Sequence, residues 1–314
     1  MVDPFGRRID YLRVSVTDRC NLRCIYCLPL EGIHLMPRDD ILSYEHICAI
    51  VQAGVELGIT RVRITGGEPL VRKGLPRLLE MLSGIGGIED ISLTTNGTLL
   101  KNCARELKRA GLNRVNVSLD SLKADRFRRI TRFGELEDVR QGIEEAKGAG
   151  LHPVKINTVV MKGINDDEVW DFASLTHKEG WHVRFIELMP FTDAAGFVAE
   201  SEVRQHIEQM SSLKPCACVL GNGPARYYRL SEAKGTIGFV SPLTDPHFCS
   251  TCNRLRLTAM GKLRPCLMAD DEIDLKGVLH STEEIKRSIL KAISQKPERH
   301  PSLPLKRNMV QIGG

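Results

Sequence analysis

The sequence contains no continuous apolar run of about 18 residues, the length a membrane-spanning helix needs, so no membrane partner is expected. Its first ten residues, MVDPFGRRID, lack the apolar core of a secretory signal, which gives a cytoplasmic expectation. There is no block of like charge: the net charge of +5 is spread along the chain, and no helix-turn-helix pattern with a basic recognition face is visible. A DNA partner is therefore not expected. No GxGxxG follows the first strand-like segment, which weakens a dinucleotide-binding reading.

The chain that remains is 314 residues long, 42% hydrophobic and 26% charged, enough for one large domain with an appendage or for two domains. It has ten cysteines, and six of them fall into two tight groups, which suits metal sites better than disulfides. Cys48 and Cys103 lie in helix-like segments and read as buried thiols, while Cys216 and Cys218 are too close together for a common metal pair.

The first group, Cys20, Cys24 and Cys27 in TDRCNLRCIYC, has a CxxxCxxC spacing. Three thiolates satisfy three irons of a [4Fe-4S] cube and leave the fourth open to a small molecule. Structural zinc wants four protein ligands, commonly as CxxC pairs. The second group, Cys249, Cys252 and Cys266, again offers three thiolates, with zinc plus His247 as the rival reading.

Strand and helix signals alternate from residue 12 to residue 189. Strands are expected at Leu12–Val16, Arg61–Thr65, Ile88–Thr94, Asn113–Ser118, Val154–Val160 and Val183–Met189, and a helix at Ser43–Leu57, capped by Ser43 and ended by Gly58. Six such units predict a parallel sheet, either a partial barrel or an open doubly wound sheet. The polar motifs GGEP (66–69), TTNG (94–97), SLD (118–120) and ELMP (187–190) all close strands, so they gather on one rim beside the first cysteine loop. After Pro190 come a helix at Glu200–Met210 and paired strands at Ala225–Leu230 and Thr236–Val240.

These residues carry a resemblance. CxxxCxxC with Tyr26 before its last cysteine, together with GGEP, resembles the radical S-adenosylmethionine superfamily. DYLRVSVTDRCNLRC, RITGGEPL, LTTNG, RVNVSLD, KINTVVMKGIND, VRFIELM, FCSTCNRLRLT, GKLRPCL and the final IGG are similar, in order, to its GTP 3′,8-cyclase (MoaA) branch. Met260-Gly261 departs from that branch's usual Asp-Gly turn.

The resemblance implies a partial TIM barrel of about six βα units at 1–190, closed by a C-terminal α+β extension at 191–314. It implies two [4Fe-4S] clusters, on Cys20, Cys24 and Cys27 and on Cys249, Cys252 and Cys266. It implies S-adenosylmethionine contacts at Tyr26, Gly67, Ser118 and Met189, and GTP contacts at Arg13, Arg63, Thr94, Lys155, Arg254 and Arg256, with Arg61 and Arg184 weaker. Gly313 and Gly314 would enter the site. The implied reaction is formation of 3′,8-cyclo-7,8-dihydro-GTP, a lyase step in molybdenum cofactor biosynthesis: a 5′-deoxyadenosyl radical removes hydrogen from C3′, and the C3′ radical attacks C8. The implied partners are an electron donor such as flavodoxin or ferredoxin, a downstream cyclic pyranopterin monophosphate synthase, and a second copy in a homodimer. The rival readings are a peptide maturase with auxiliary clusters and a non-enzymatic zinc or iron-sulfur regulator.

Overall fold

A computed structural model describes residues 1–191, 196–218, 220–301 and 309–312. The strands are β1 Tyr11–Ser15, β2 Arg61–Thr65, β3 Asp90–Thr95, β4 Arg114–Ser118, β5 Lys155–Lys162, β6 His182–Glu187, β7 Gly196–Phe197, β8 Leu213–Pro215, β9 Arg226–Leu230, β10 Thr236–Val240, β11 Arg254–Leu257, β12 Lys262–Arg264 and β13 Ile273–Asp274. The helices are α1 Tyr44–Glu56, α2 Leu75–Ser83, α3 Ala104–Arg109, α4 Ala124–Thr131, α5 Leu136–Gly148, α6 Val169–Lys178, α7 Glu200–Met210, α8 Thr282–Ser294 and α9 Met309–Ile312. No helix among the described residues is long and apolar enough to cross a membrane.

Local chemistry sets the helix ends. The Ser43 hydroxyl accepts from the His46 amide at 3.1 Å, the N-cap expected of it, and Gly58 closes α1 at a φ of +96°. Between β4 and β5 the chain makes two helices, α4 and α5, where one was expected.

The sheet order is β13-β12-β11-β1-β2-β3-β4-β5-β6-β10-β9-β8, with β7 attached to β5. β11, β1 to β6 and β10 form one parallel row of eight strands. The sheet is α/β, mostly parallel and not closed among the described residues. Six of the eight were expected from sequence. The C-terminal segment adds the other two, one at each side of the row, and continues them with antiparallel β9 and β12.

Because side chains alternate across a strand, the register sorts residues onto two faces. One face carries Leu12 and Val14, Val62 and Ile64, Ile91 and Leu93, Val115 and Val117, Val183 and Phe185, Ile237 and Phe239, Leu255 and Leu257, all buried in the main core. The other face is polar. One row of register partners there reads Arg256, Arg13, Arg63, Ser92, Arg114. Another reads Thr94, Asn116, Lys155, His182, Thr236, and a third Ser118, Asn157, Arg184, Gly238. A sheet with one aliphatic face and one cationic face has its core on the first and a place for anions on the second.

Candidate active site

The first cysteine loop leaves the end of β1 and is fastened to its neighbours by backbone bonds. Arg23 and Ile25 donate to the carbonyls of Thr131 and Ile130 at the end of α4, and Cys27 and Leu28 donate to the Cys24 carbonyl. Arg132 Nη1 donates to the carbonyls of Arg23 and Leu28, bracing both ends of the loop. Tyr26 Oη donates to Asp120 Oδ2 at 2.7 Å, and Asp120 Oδ1 accepts from the Val159 amide at 2.8 Å. Burial raises the Asp120 carboxyl to about 6.

GGEP supports this loop from behind. The Gly67 amide donates to the Thr17 carbonyl at 2.7 Å and the Glu68 amide to the Arg19 carbonyl at 2.8 Å. A Cβ on Gly67 would lie 2.4 Å from the Arg19 oxygen, so only glycine lets the two backbones approach this closely. The Glu68 carboxylate accepts from the Leu70 and Asn96 amides and from Thr95 Oγ1, tying GGEP to TTNG, and burial raises it to about 7.

Cys20, Cys24 and Cys27 are free thiols. The Leu22 amide donates to Cys20 Sγ at 3.4 Å. Burial, reinforced by Cys20 and Asp120, raises Cys27 to about 12. A bound cation reverses that, since ligation deprotonates a thiol outright.

The second triplet repeats these features. Cys249, Cys252 and Cys266 are free, and the Met268 amide donates to Cys266 Sγ at 3.4 Å. Arg254 Nη2 lies 3.6 Å from Cys252 Sγ. Burial alone would raise Cys252, but Arg254 and Lys296 outweigh it and bring the thiol down to about 6. His247 is exposed. Among the described residues no three His, Cys, Asp or Glu side chains converge as a single metal ion requires.

A cavity of about 250 Å³ joins the two regions. Arg13, Arg63, Arg184, Arg254 and Arg256 line it, as do Thr94, Tyr26, Ser118, Met189 and all three late cysteines. Asp120 is the one carboxylate among its lining residues. Burial, joined by Arg184 and Arg114 and opposed by Tyr11, lowers Arg63 to about 10, and burial with Arg254 lowers Arg256 to about 10. Arg63 Nη2 is buried without a hydrogen-bond partner. Such a concentration of desolvated positive charge favours a negatively charged neighbour.

Two family models match the chain: the radical SAM superfamily over residues 14–176 and the molybdenum cofactor synthesis C-terminal family over residues 181–302. A GTP 3′,8-cyclase from Thermodesulfovibrio yellowstonii is 54% identical over the full length of both chains, and one from Pelotomaculum thermopropionicum is 52% identical, also full length. The chain belongs to the GTP 3′,8-cyclase family. Streptococcus suis SuiB bound to S-adenosylmethionine shares the fold, with a TM-score of 0.61 and 15% identity over 87% of this chain and 65% of that one.

Not every expected residue lines the cavity. Lys155 shares the polar face but is buried behind the wall, where burial and then Arg184, Arg114 and Arg63 lower it to about 5. Gly67, Cys20, Cys24 and Cys27 are also absent from the lining, although Cys24 and Cys27 lie close enough to Tyr26 to act on it electrostatically. Arg61 is bound to Asp10 at 2.6 Å. Gly313 and Gly314 lie outside the described residues. Cys48 and Cys103, expected as buried thiols, are partly buried and packed against the main core, and Cys216 and Cys218 stand side by side with their Cα atoms 5.3 Å apart. Met260 leaves the β11–β12 hairpin intact, with Gly261 at a φ of +83° and the Thr258 amide donating to the Lys262 carbonyl. Sequence reasoning missed Lys296 and His300 in the lining, which stand outside any motif, and Asn157, which lies within KINTVVMKGIND beside the singled-out Lys155.

Proposed function

We propose that this chain converts GTP to 3′,8-cyclo-7,8-dihydro-GTP, a lyase reaction of molybdenum cofactor biosynthesis, within a partial TIM barrel at 1–190 completed by an extension at 191–314. One observation carries the reading: a single cavity brings the arginines of β1, β2, β6 and β11 together with the late cysteines and with Tyr26 of the early cysteine loop. A protein acting on peptides has no use for five arginines converging in one cavity, whereas a triphosphate does.

Cys20, Cys24 and Cys27 would hold one [4Fe-4S] cluster and Cys249, Cys252 and Cys266 a second; the paired amide-to-sulfur bonds from Leu22 and Met268 and the free state of all six thiols support this. Held by Cys20, Cys24 and Cys27, the first cluster would pass one electron from the reductant to S-adenosylmethionine, whose cleavage would give methionine and a 5′-deoxyadenosyl radical. Tyr26, Ser118 and Met189 would face S-adenosylmethionine, with Gly67 shaping the loop beneath it. Arg13, Arg63, Arg254 and Arg256, with Arg184, would grip the triphosphate, and Thr94 would bind the nucleotide. Lys155 would act from behind the wall as a charge that appears when the phosphates arrive. Gly313 and Gly314 would complete the site. The main work of these side chains is orientation, because a primary radical takes hydrogen from whatever is nearest. The partners we assign are a small reductant such as flavodoxin or ferredoxin, the downstream cyclic pyranopterin monophosphate synthase and a second copy of the chain, all in the cytoplasm.

The test is an anaerobic assay with GTP, S-adenosylmethionine and a strong reductant. GTP-dependent 5′-deoxyadenosine and the cyclised nucleotide should both form, and their absence from a chain carrying about eight irons would reject the assignment. Cys249→Ser should retain cleavage of S-adenosylmethionine and lose cyclisation.

A further inference from the structure

Lys296, two residues beyond α8, is 4% exposed and reaches back to the late cysteines. Its Nζ donates to the Arg254 carbonyl at 2.8 Å and to the Pro265 carbonyl at 2.6 Å. Arg254 stands two residues after Cys252, and Pro265 immediately before Cys266. The Lys296 charge also acts on the nearby Cys252 thiol and helps to bring it down. The adjoining backbone is fixed as well. Arg7, braced by Asp3, donates to the carbonyls of Pro297 at 2.7 Å, Glu298 at 3.0 Å and Cys249 at 3.0 Å. The short stretch from Lys296 to Glu298 is therefore tied, directly or through Arg7, to backbone at or beside the late cysteines, and Lys296 also lines the cavity.

We propose that Lys296 is a positioning residue for the late triplet: its ammonium clamps the Cys252 and Cys266 arms together and raises the reduction potential of the cluster that they bind. The inference rests on the two-cluster reading above. A fixed positive charge beside the sulfurs stabilises the reduced, more negative cluster. Lys296 thereby sets how readily the substrate-side cluster accepts an electron, independently of the first cluster.

Potentiometry monitored by electron paramagnetic resonance on the anaerobic holoenzyme tests this, with the first cluster as internal control. Lys296→Gln retains two N–H donors for the carbonyls and removes the charge. Its late cluster should titrate at a more negative potential, with the oxidised-to-reduced ratio at the wild-type midpoint raised on the order of tenfold, about 59 mV for one electron. Lys296→Arg should stay near wild type, and the first cluster should not move in either variant. An unchanged late potential in Lys296→Gln on a two-cluster chain overturns this inference alone. Loss of late-cluster iron from Lys296→Gln but not from Lys296→Arg supports the clamp, and loss from both overturns it. A wild-type chain that binds about four irons overturns the two-cluster reading and this inference with it.

Discussion

Arg63 shows how a residue can be costly to the folded chain and still belong there. It is 4% exposed, donates through Nε to Ser92 Oγ at 3.2 Å, and has its Nη2 buried without a partner. Replacing it with methionine removes a desolvated charge facing other arginines, so the melting temperature without nucleotide should not fall. Affinity for GTP should drop about 10- to 100-fold, the worth of one charge-assisted hydrogen bond, as read by calorimetry. Lys155 yields a pH signature. Its folded value of about 5 lies below the free value of 10.5, so between those limits the unfolded chain carries the extra proton. Stability then rises with pH across that window, by at most about 1.4 kcal/mol per unit, and falls as pH drops toward 5. Phosphate charge nearby should restore the proton, so GTP binding near neutral pH should take one up, measurable by calorimetry in buffers of different ionisation enthalpy and lost in Lys155→Met. The two residues also mark what sequence could tell. Charged residues at inward strand positions, Arg13 and Arg63, were legible because apolar side chains would otherwise stand there. That Lys155 sits behind the wall was not legible, since a strand pattern gives the face and not the depth.

The cysteine loop owes its shape to backbone contacts more than to side chains. Gly67 meets the Arg19 carbonyl so closely that Gly67→Ala must push the loop outward. Iron content after anaerobic reconstitution should fall from about eight toward about four per chain, with the late cluster retained. Helices and their caps were readable from sequence because each is decided within a few residues, as at Ser43. The first six parallel strands were readable from their regular alternation with helices. The placement of β10 beside β6 and β11 beside β1 was not, because parallel partners are chosen by tertiary packing and the intervening segments carry no βα rhythm. Likewise the clamp of Arg7 and Lys296 joins the two ends of the chain through main-chain carbonyls, which leave no mark in sequence.

For the molecule as a whole, the cavity concentrates positive charge around a space of about 250 Å³. An anion that neutralises it should stabilise the entire fold, because the wall strands belong to one continuous sheet. Inorganic triphosphate at about 100 times its dissociation constant should add about 2.7 kcal/mol, a rise of a few degrees in melting temperature. Arg256→Gln should shrink the rise, and an equal concentration of a neutral sugar should give none.

The pairing of Tyr11 with Arg254 also bears on how the protein is made. On the ribosome, β1 emerges near the start, while the strand that covers its outer edge arrives only after most of the chain has been translated. Until then the nascent chain exposes a bare hydrogen-bonding edge beside an exposed cysteine loop, a state prone to pairing with other chains. Closure of the edge is therefore a late event, and a translation arrest short of β11 would leave the early cysteine loop beside an unpaired β1, without the strand that brings Arg254 and Arg256 to the cavity.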